Sequence, residues 1–270
     1  MRAKADSRYA KLFPSPNHGE RKDGLRPELV LLHYTGMPDA QSALKWLCTP
    51  ESSVSCHYFV FETGKILQLV PESRRAWHAG AGIWRGFDDI NSRSIGIEIV
   101  NVGHDGRSVD PADPHKRLAD APLNIQPLPQ FPKRQITAVI KLVADICDRW
   151  QIPRANVLAH SDIAPRRKRD PGEAFPWKRL NDEAGLGLWV EPVPIRSGHF
   201  YQQGDGGAPV AALQQMLAML GFAVPQSGQF DEETAFVVKA FQRHWRPERV
   251  DGVADFSTIT TLRDLLRAER

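Results

Sequence analysis

Cysteine is scarce: Cys48, Cys56 and Cys147 are the three in 270 residues, and no two form a C-x-x-C pair. Three thiols cannot build a full disulfide framework, so buried free thiols are expected instead. No window reaches the roughly 18 apolar residues of a membrane span. The opening M-R-A-K-A-D-S-R-Y-A-K-L-F-P carries positive charge but no apolar core of a signal peptide, so the chain is expected to be soluble, with no visible export signal. Neither sign of charge dominates, with 35 Lys and Arg against 32 Asp and Glu. Dense basic blocks interleaved with aromatics are missing, which argues against a nucleic-acid partner. No H-E-x-x-H occurs, so a thermolysin-like zinc helix is excluded.

What is present suits a globular protein: 41% of residues are hydrophobic and 25% charged. The length predicts one catalytic-sized domain plus a small one. Residues up to about Pro27 read as irregular surface chain. Leu29 to Thr35, closed by Gly36, is a nearly continuous apolar run and predicts a buried strand. A helix is predicted over Asp39 to Leu47. Cys56 to Glu62 and Lys65 to Val70, around Thr63-Gly64, predict a β-hairpin. Asn91 to Asn101 reads as a strand with Ile95, Ile97 and Ile99 on one face and Gly96, Glu98 and Val100 on the other. A long connection from Val102 to Pro132 follows, then the strongest helix, Lys133 to Trp150, and a short strand, Val157 to Ala159. Interleaved strands and helices predict a mixed α/β domain with a central mixed β-sheet flanked by helices. Residues 191–207 shift to Pro, Gly, Ser and Gln and read as a linker between a first domain, 1–190, and a small helical one, 208–270. In that last unit G-Q-F-D-E-E-T echoes G-V-A-D-F-S-T, each with a turn glycine ahead of a residue able to cap a helix.

The chemistry gathers in H-S-D-I-A-P-R-R-K-R-D-P-G, His160 to Gly172, at the end of the short strand. A catalytic metal needs about three protein ligands and an open position. His33 and His160, each near a strand end, with Asp170 from the loop, make one such set. With nine histidines other triples can be drawn, and His57, His78, His104, His115 and Asp162 stay open on spacing alone. Arg75 to Trp84 is rich in glycine and aromatics and could wall a cleft, so Trp77 and His78, with His57 and Asn91, are cleft candidates. Glu98, a carboxylate amid β-branched residues, is either on a solvated sheet face or held in a cleft where burial would raise its pKa.

L-L-H-Y-T, S-C-H-Y-F-V, R-A-W-H-A-G, S-I-G-I-E-I-V-N and A-H-S-D-I-A-P-R-R-K-R-D-P-G, in that order from about Pro27 to Trp177, resemble the zinc-dependent N-acetylmuramoyl-L-alanine amidases. That group also includes bacteriophage lysozyme-like amidases and peptidoglycan recognition proteins. The resemblance implies hydrolysis of the amide between N-acetylmuramic acid and L-alanine, on peptidoglycan or muropeptides. It implies one Zn2+ held by His33, His160 and Asp170, with Glu98 and Lys168 catalytic. The alternatives from other classes are a non-catalytic peptidoglycan receptor and a stem-peptide metallopeptidase. Arg166, Arg167 and Arg169 are read as solvated in preference to binding substrate carboxylates. The last unit resembles a three-helix peptidoglycan-binding module, expected to add affinity for sacculi. The overall plan implies the cell envelope or periplasm, with the cytoplasm as the alternative because no leader is visible, and a monomer is expected.

Overall fold

The computed structural model describes residues 4–104 and 128–269. The strands in chain order are β1 (Ala10–Leu12), β2 (His18–Gly19), β3 (Leu29–Tyr34), β4 (Tyr58–Val60), β5 (Ile66–Gln68), β6 (Arg75–Ala76), β7 (Ser94–Ile99) and β8 (Val157–Ala159). The helices are α1 (Ala40–Leu47), α2 (Ile90–Arg93), α3 (Lys133–Trp150), α4 (His160–Ile163), α5 (Trp177–Ala184), α6 (Ala208–Leu220), α7 (Glu232–Trp245) and α8 (Phe256–Ala268). Six strands form one sheet in the order β1-β5-β4-β7-β3-β8, and β2 pairs with β6 apart from it. Only the β4-β5 hairpin is antiparallel within the large sheet. The mixed α/β reading therefore holds, and the reason is visible in the runs themselves. Parallel strands are covered on both faces and so read as continuous apolar stretches such as L-V-L-L.

β3, β7 and β8 lie side by side and point the same way, with His33 opposite Glu98 and Leu32 opposite Ala159. Three candidate groups thus emerge at one edge, the carboxyl ends of parallel strands, where open α/β sheets place their ligands. On β7 the alternation sorts the two faces. Ile95, Ile97 and Ile99 are fully buried against Ile136, Val139 and Val143 of α3. Gly96 and Glu98 take the opposite face. A Cβ on Gly96 would stand 2.4 Å from the His78 ring, so only glycine lets that imidazole lie on the sheet.

Some boundaries differ from expectation. Asn91 is not in the strand: α2 occupies Ile90–Arg93, where the Ser94 hydroxyl bonds back to the Ile90 carbonyl at 2.6 Å, and β7 starts at Ser94. His160 opens a helical turn, α4, and not a loop. Most of the long connection predicted after Val102 lies outside the described residues, as does His115. In the last unit the echoed motifs do cap helices. The Asp231 carboxylate accepts the Thr234 amide at 2.8 Å and Asp255 accepts that of Thr258 at 2.7 Å. Among the described residues no helix is long and apolar enough to cross a membrane.

Candidate metal and hydrolytic centre

His33 at the end of β3, His160 at the start of α4 and Asp170 ten residues on are all buried. The Nδ1 atoms of the two rings lie 2.9 Å apart, and each lies 2.9 Å from Asp170 Oδ2. Among the described residues this is the one group of His, Cys, Asp or Glu whose donor atoms converge closely enough to hold a metal ion.

The hydrogen-bond partners of the two rings decide where their hydrogens sit. The Nε2 of His160 faces the Ala79 carbonyl at 2.9 Å, so it carries the ring hydrogen and Nδ1 is a lone pair. Burial pushes the His160 pKa down to about 3, against the pull of Asp170, which keeps the ring neutral. His33 is fixed by a relay. Ser94 spends its hydroxyl hydrogen on the Ile90 carbonyl, so its oxygen accepts Nε2–H of His78 at 3.3 Å. The Nδ1 of His78 is then an acceptor and takes Nε2–H of His33 at 3.0 Å. That leaves Nδ1 of His33 a lone pair as well. Burial opposes ionisation of Asp170, but charge and hydrogen bonding from His160 and His33 hold the carboxyl well below the usual carboxylate range whenever a proton sits on either Nδ1; with both Nδ1 atoms bare, only another cation can take that part. Three lone pairs, one of them anionic, therefore face each other across 2.9 Å in a buried pocket. Such an arrangement is repulsive until a cation sits among them, and neutral imidazoles with a carboxylate are the donor set of a catalytic zinc site.

Glu98 belongs to the cleft and not to a solvated face. Its Oε2 is shielded from solvent and has no hydrogen-bond partner. Burial first, then the neighbouring Asp170 charge, pushes its carboxyl well above the usual range, with the Lys168 ammonium pulling the other way. Lys168 sits on the turn after α4, where its amide bonds the Ala164 carbonyl at 2.9 Å.

The four cleft candidates divide. Trp77 is half-buried, directly after β6. Asn91 accepts the amides of His78 at 3.0 Å and Ala79 at 2.8 Å, so it holds that segment, and with it the His160 partner carbonyl, in place. His78 backs His33. His57 is fully buried and lines no open surface: its Nδ1 accepts the Gly96 amide at 3.0 Å, and Nε2 donates to the Arg74 carbonyl at 3.0 Å. Of the other open candidates, His104 lies between Tyr34 and Glu173, and Asp162 bonds His244. Arg166 and Arg167 are not simply solvated. Arg167 reaches the Ala79 and Ala81 carbonyls, and Arg166 pairs with Glu232 and Glu233 of α7 at 2.6 and 2.5 Å.

His57 carries a stability prediction. Burial, then the Arg21 guanidinium at 3.2 Å, lowers its pKa from 6.5 to about 3. The unfolded chain takes up this proton below about pH 6.5 while the folded one does not until about pH 3. Its contribution is therefore complete above pH 6.5 and is lost as pH falls toward 3, by a few kcal/mol and at most about 5. Denaturant midpoints at pH 7 and pH 4 should fall further for the wild type than for His57→Gln; equal drops would refute it.

Residues 23–173 match the family model described as N-acetylmuramoyl-L-alanine amidase. The chain belongs to that family. Residues 206–262 match a second model, the putative peptidoglycan binding domain. The N-acetylmuramoyl-L-alanine amidase AmiD of Escherichia coli K12 is 37% identical over 251 residues, which cover 89% of this chain and 83% of that protein. A solved complex of Escherichia coli AmiD with anhydro-N-acetylmuramic acid-L-Ala-D-gamma-Glu-L-Lys matches with a TM-score of 0.72 at 34% identity, over 90% of this chain and 89% of that one. AmpDh3 of Pseudomonas aeruginosa matches at 0.67 and 28% identity, over 99% and 98%.

Several supports of this amidase centre had no signature in the sequence. The Ala79 carbonyl is backbone and leaves no trace in residue type. Ser94 carried one weak signal, a serine at the mouth of a strand, which acquires meaning only with His78 beside it.

Proposed function

We propose that the chain is a zinc amidase that cleaves the bond between N-acetylmuramic acid and the L-alanine of peptidoglycan or muropeptides, with one ion held by His33, His160 and Asp170. Three converging lone pairs beside the unpartnered Oε2 of Glu98 carry this reading. The ion would supply Lewis acidity toward the amide carbonyl and toward water. The chain's own groups do the rest. Glu98 Oε2 takes a proton from the attacking water and passes it to the leaving alanine nitrogen. Lys168 Nζ offsets the charge that gathers on oxygen as the amide becomes tetrahedral. His78, Ser94 and the Ala79 carbonyl keep the hydrogens of the two histidine rings turned away from the donor face. Trp77 stands in the half-buried loop wall beside them.

The amidase unit spans 1–190, a linker 191–207, and the unit at 208–270 binds peptidoglycan, a reading supported by its family match. That match also favours the cell envelope or periplasm as the place of work, and a single copy contains every residue invoked. The test is mass spectrometry of a digested muropeptide, with and without chelator. The expected products are the intact stem peptide bearing a free L-alanine amine and the released sugar, with none formed after metal removal. A shortened stem peptide, or binding without any new amine, would overturn the assignment.

A further inference from the structure

The C-terminal unit is not merely tethered. Trp84 of the amidase unit lies on Gly221 and Phe222, and a Cβ on Gly221 would stand 2.6 Å from its indole. The Arg85 amide bonds the Gly221 carbonyl at 2.8 Å, and Trp245 Nε1 donates to the Leu188 carbonyl at 2.8 Å. Leu158, Ile163 and Trp84 share one buried cluster with Leu213, Phe241 and Trp245. Apolar surface buried this continuously holds the two units as one body.

At the centre of that contact stands His244 of α7. Its ring is stacked between Trp177 and Trp245, with centroids 3.7 Å away on either side. Its Nδ1 donates to Asp162 Oδ2 at 2.7 Å, and the same oxygen accepts the backbone amide of Ala159 at 2.8 Å. Asp162 is 0% exposed and His244 1%. A carboxylate so deep in protein is retained only with its partners in place. This one fastens the residue that immediately precedes His160.

We propose that His244 is a positioning residue of the amidase centre: acting through Asp162 and the Ala159 amide, it fixes where His160 presents Nδ1. The unit that matches a peptidoglycan-binding family is then also a structural part of the metal site. The inference rests on the reading of His160 as a metal ligand. Catalytic groups must be held to within about 0.5 Å, and loss of a group that orients a metal ligand costs about 10–100-fold in metal affinity.

The test uses the full chain. His244→Phe keeps the aromatic stack and removes the donor, whereas His244→Asn places an amide N–H near the position of Nδ1. Zinc retention is measured by competition with a chromophoric chelator, together with kcat and KM on a soluble muropeptide. Expected are a roughly 10–100-fold weaker hold on zinc and a lower kcat in His244→Phe, KM within about twofold, and recovery of most of both losses in His244→Asn. Wild-type zinc retention and kcat in a cooperatively folded His244→Phe would overturn the proposal. A second measurement needs no variant. Coupling is reciprocal, so adding zinc to the metal-free wild type must slow amide hydrogen exchange at Gln242 to Trp245. Unchanged exchange would also overturn it. His160→Ala separates the underlying assumption: if that variant still binds zinc like the wild type, the ligand assignment fails, whatever His244 does.

Discussion

Asp170→Asn is expected to lose zinc and amide hydrolysis together while leaving the metal-free protein at least as stable as the wild type. The carboxylate is the single charged donor of the triangle, and its Oδ2 faces two nitrogen lone pairs at 2.9 Å. Without it two neutral imidazoles remain, too few for a catalytic zinc centre. The lost Lewis acidity amounts to several kcal/mol of transition-state stabilisation, or on the order of 10³-fold in kcat/KM. The stability half of the expectation has the opposite sign. In the metal-free wild type three lone pairs repel one another, and an asparagine amide can turn an N–H toward them. The unfolding temperature of the variant without metal should therefore match or exceed that of the metal-free wild type. Zinc should raise the unfolding temperature of the wild type alone, because only a folded state that binds the ion is stabilised by it. Thermal scans of both proteins with and without zinc measure this. A variant that keeps the zinc-induced shift would refute the ligand role.

The parts of this architecture that could be read from the sequence are those where one residue type has one structural use. L-V-L-L-H-Y and S-I-G-I-E-I are apolar runs with a polar group at a fixed phase, and parallel pairing then put His33 opposite Glu98. The face of Glu98 could not be decided by alternation, because a cleft and a solvated face tolerate the same side chain. Gly96 decides it: the missing Cβ admits His78, so that face is covered. His78 and Asn91 stand near the centre for relational reasons, a lone pair turned toward His33 and an oxygen holding two loop amides, and neither relation leaves a pattern along the chain. The join between units was the least legible. Pro, Gly and Ser in residues 191–207 suggested a tether, whereas docking depends on Trp84, Gly221 and His244, which are remote in sequence and unremarkable singly.

Glu98→Gln is the sharpest test of the proton path. The substitution keeps size and shape and removes the ability to take a proton, so kcat should fall about 10²–10⁴-fold with KM and zinc retention unchanged. The pH dependence should change with it. Glu98 must be ionised to accept a proton, so wild-type kcat/KM falls as pH drops through its pKa. Burial and Asp170 raise that pKa, which places the acidic limb above where an exposed glutamate would put it. Lys168 opposes the shift. Lys168→Met should therefore move the limb to higher pH while also lowering the plateau, and Glu98→Gln should abolish the limb. Bound zinc adds a second nearby cation and moves the limb back toward lower pH, so the profiles must be taken on metal-replete protein. A Glu98→Gln variant within about tenfold of the wild type at its pH optimum would exclude this carboxylate as the proton carrier.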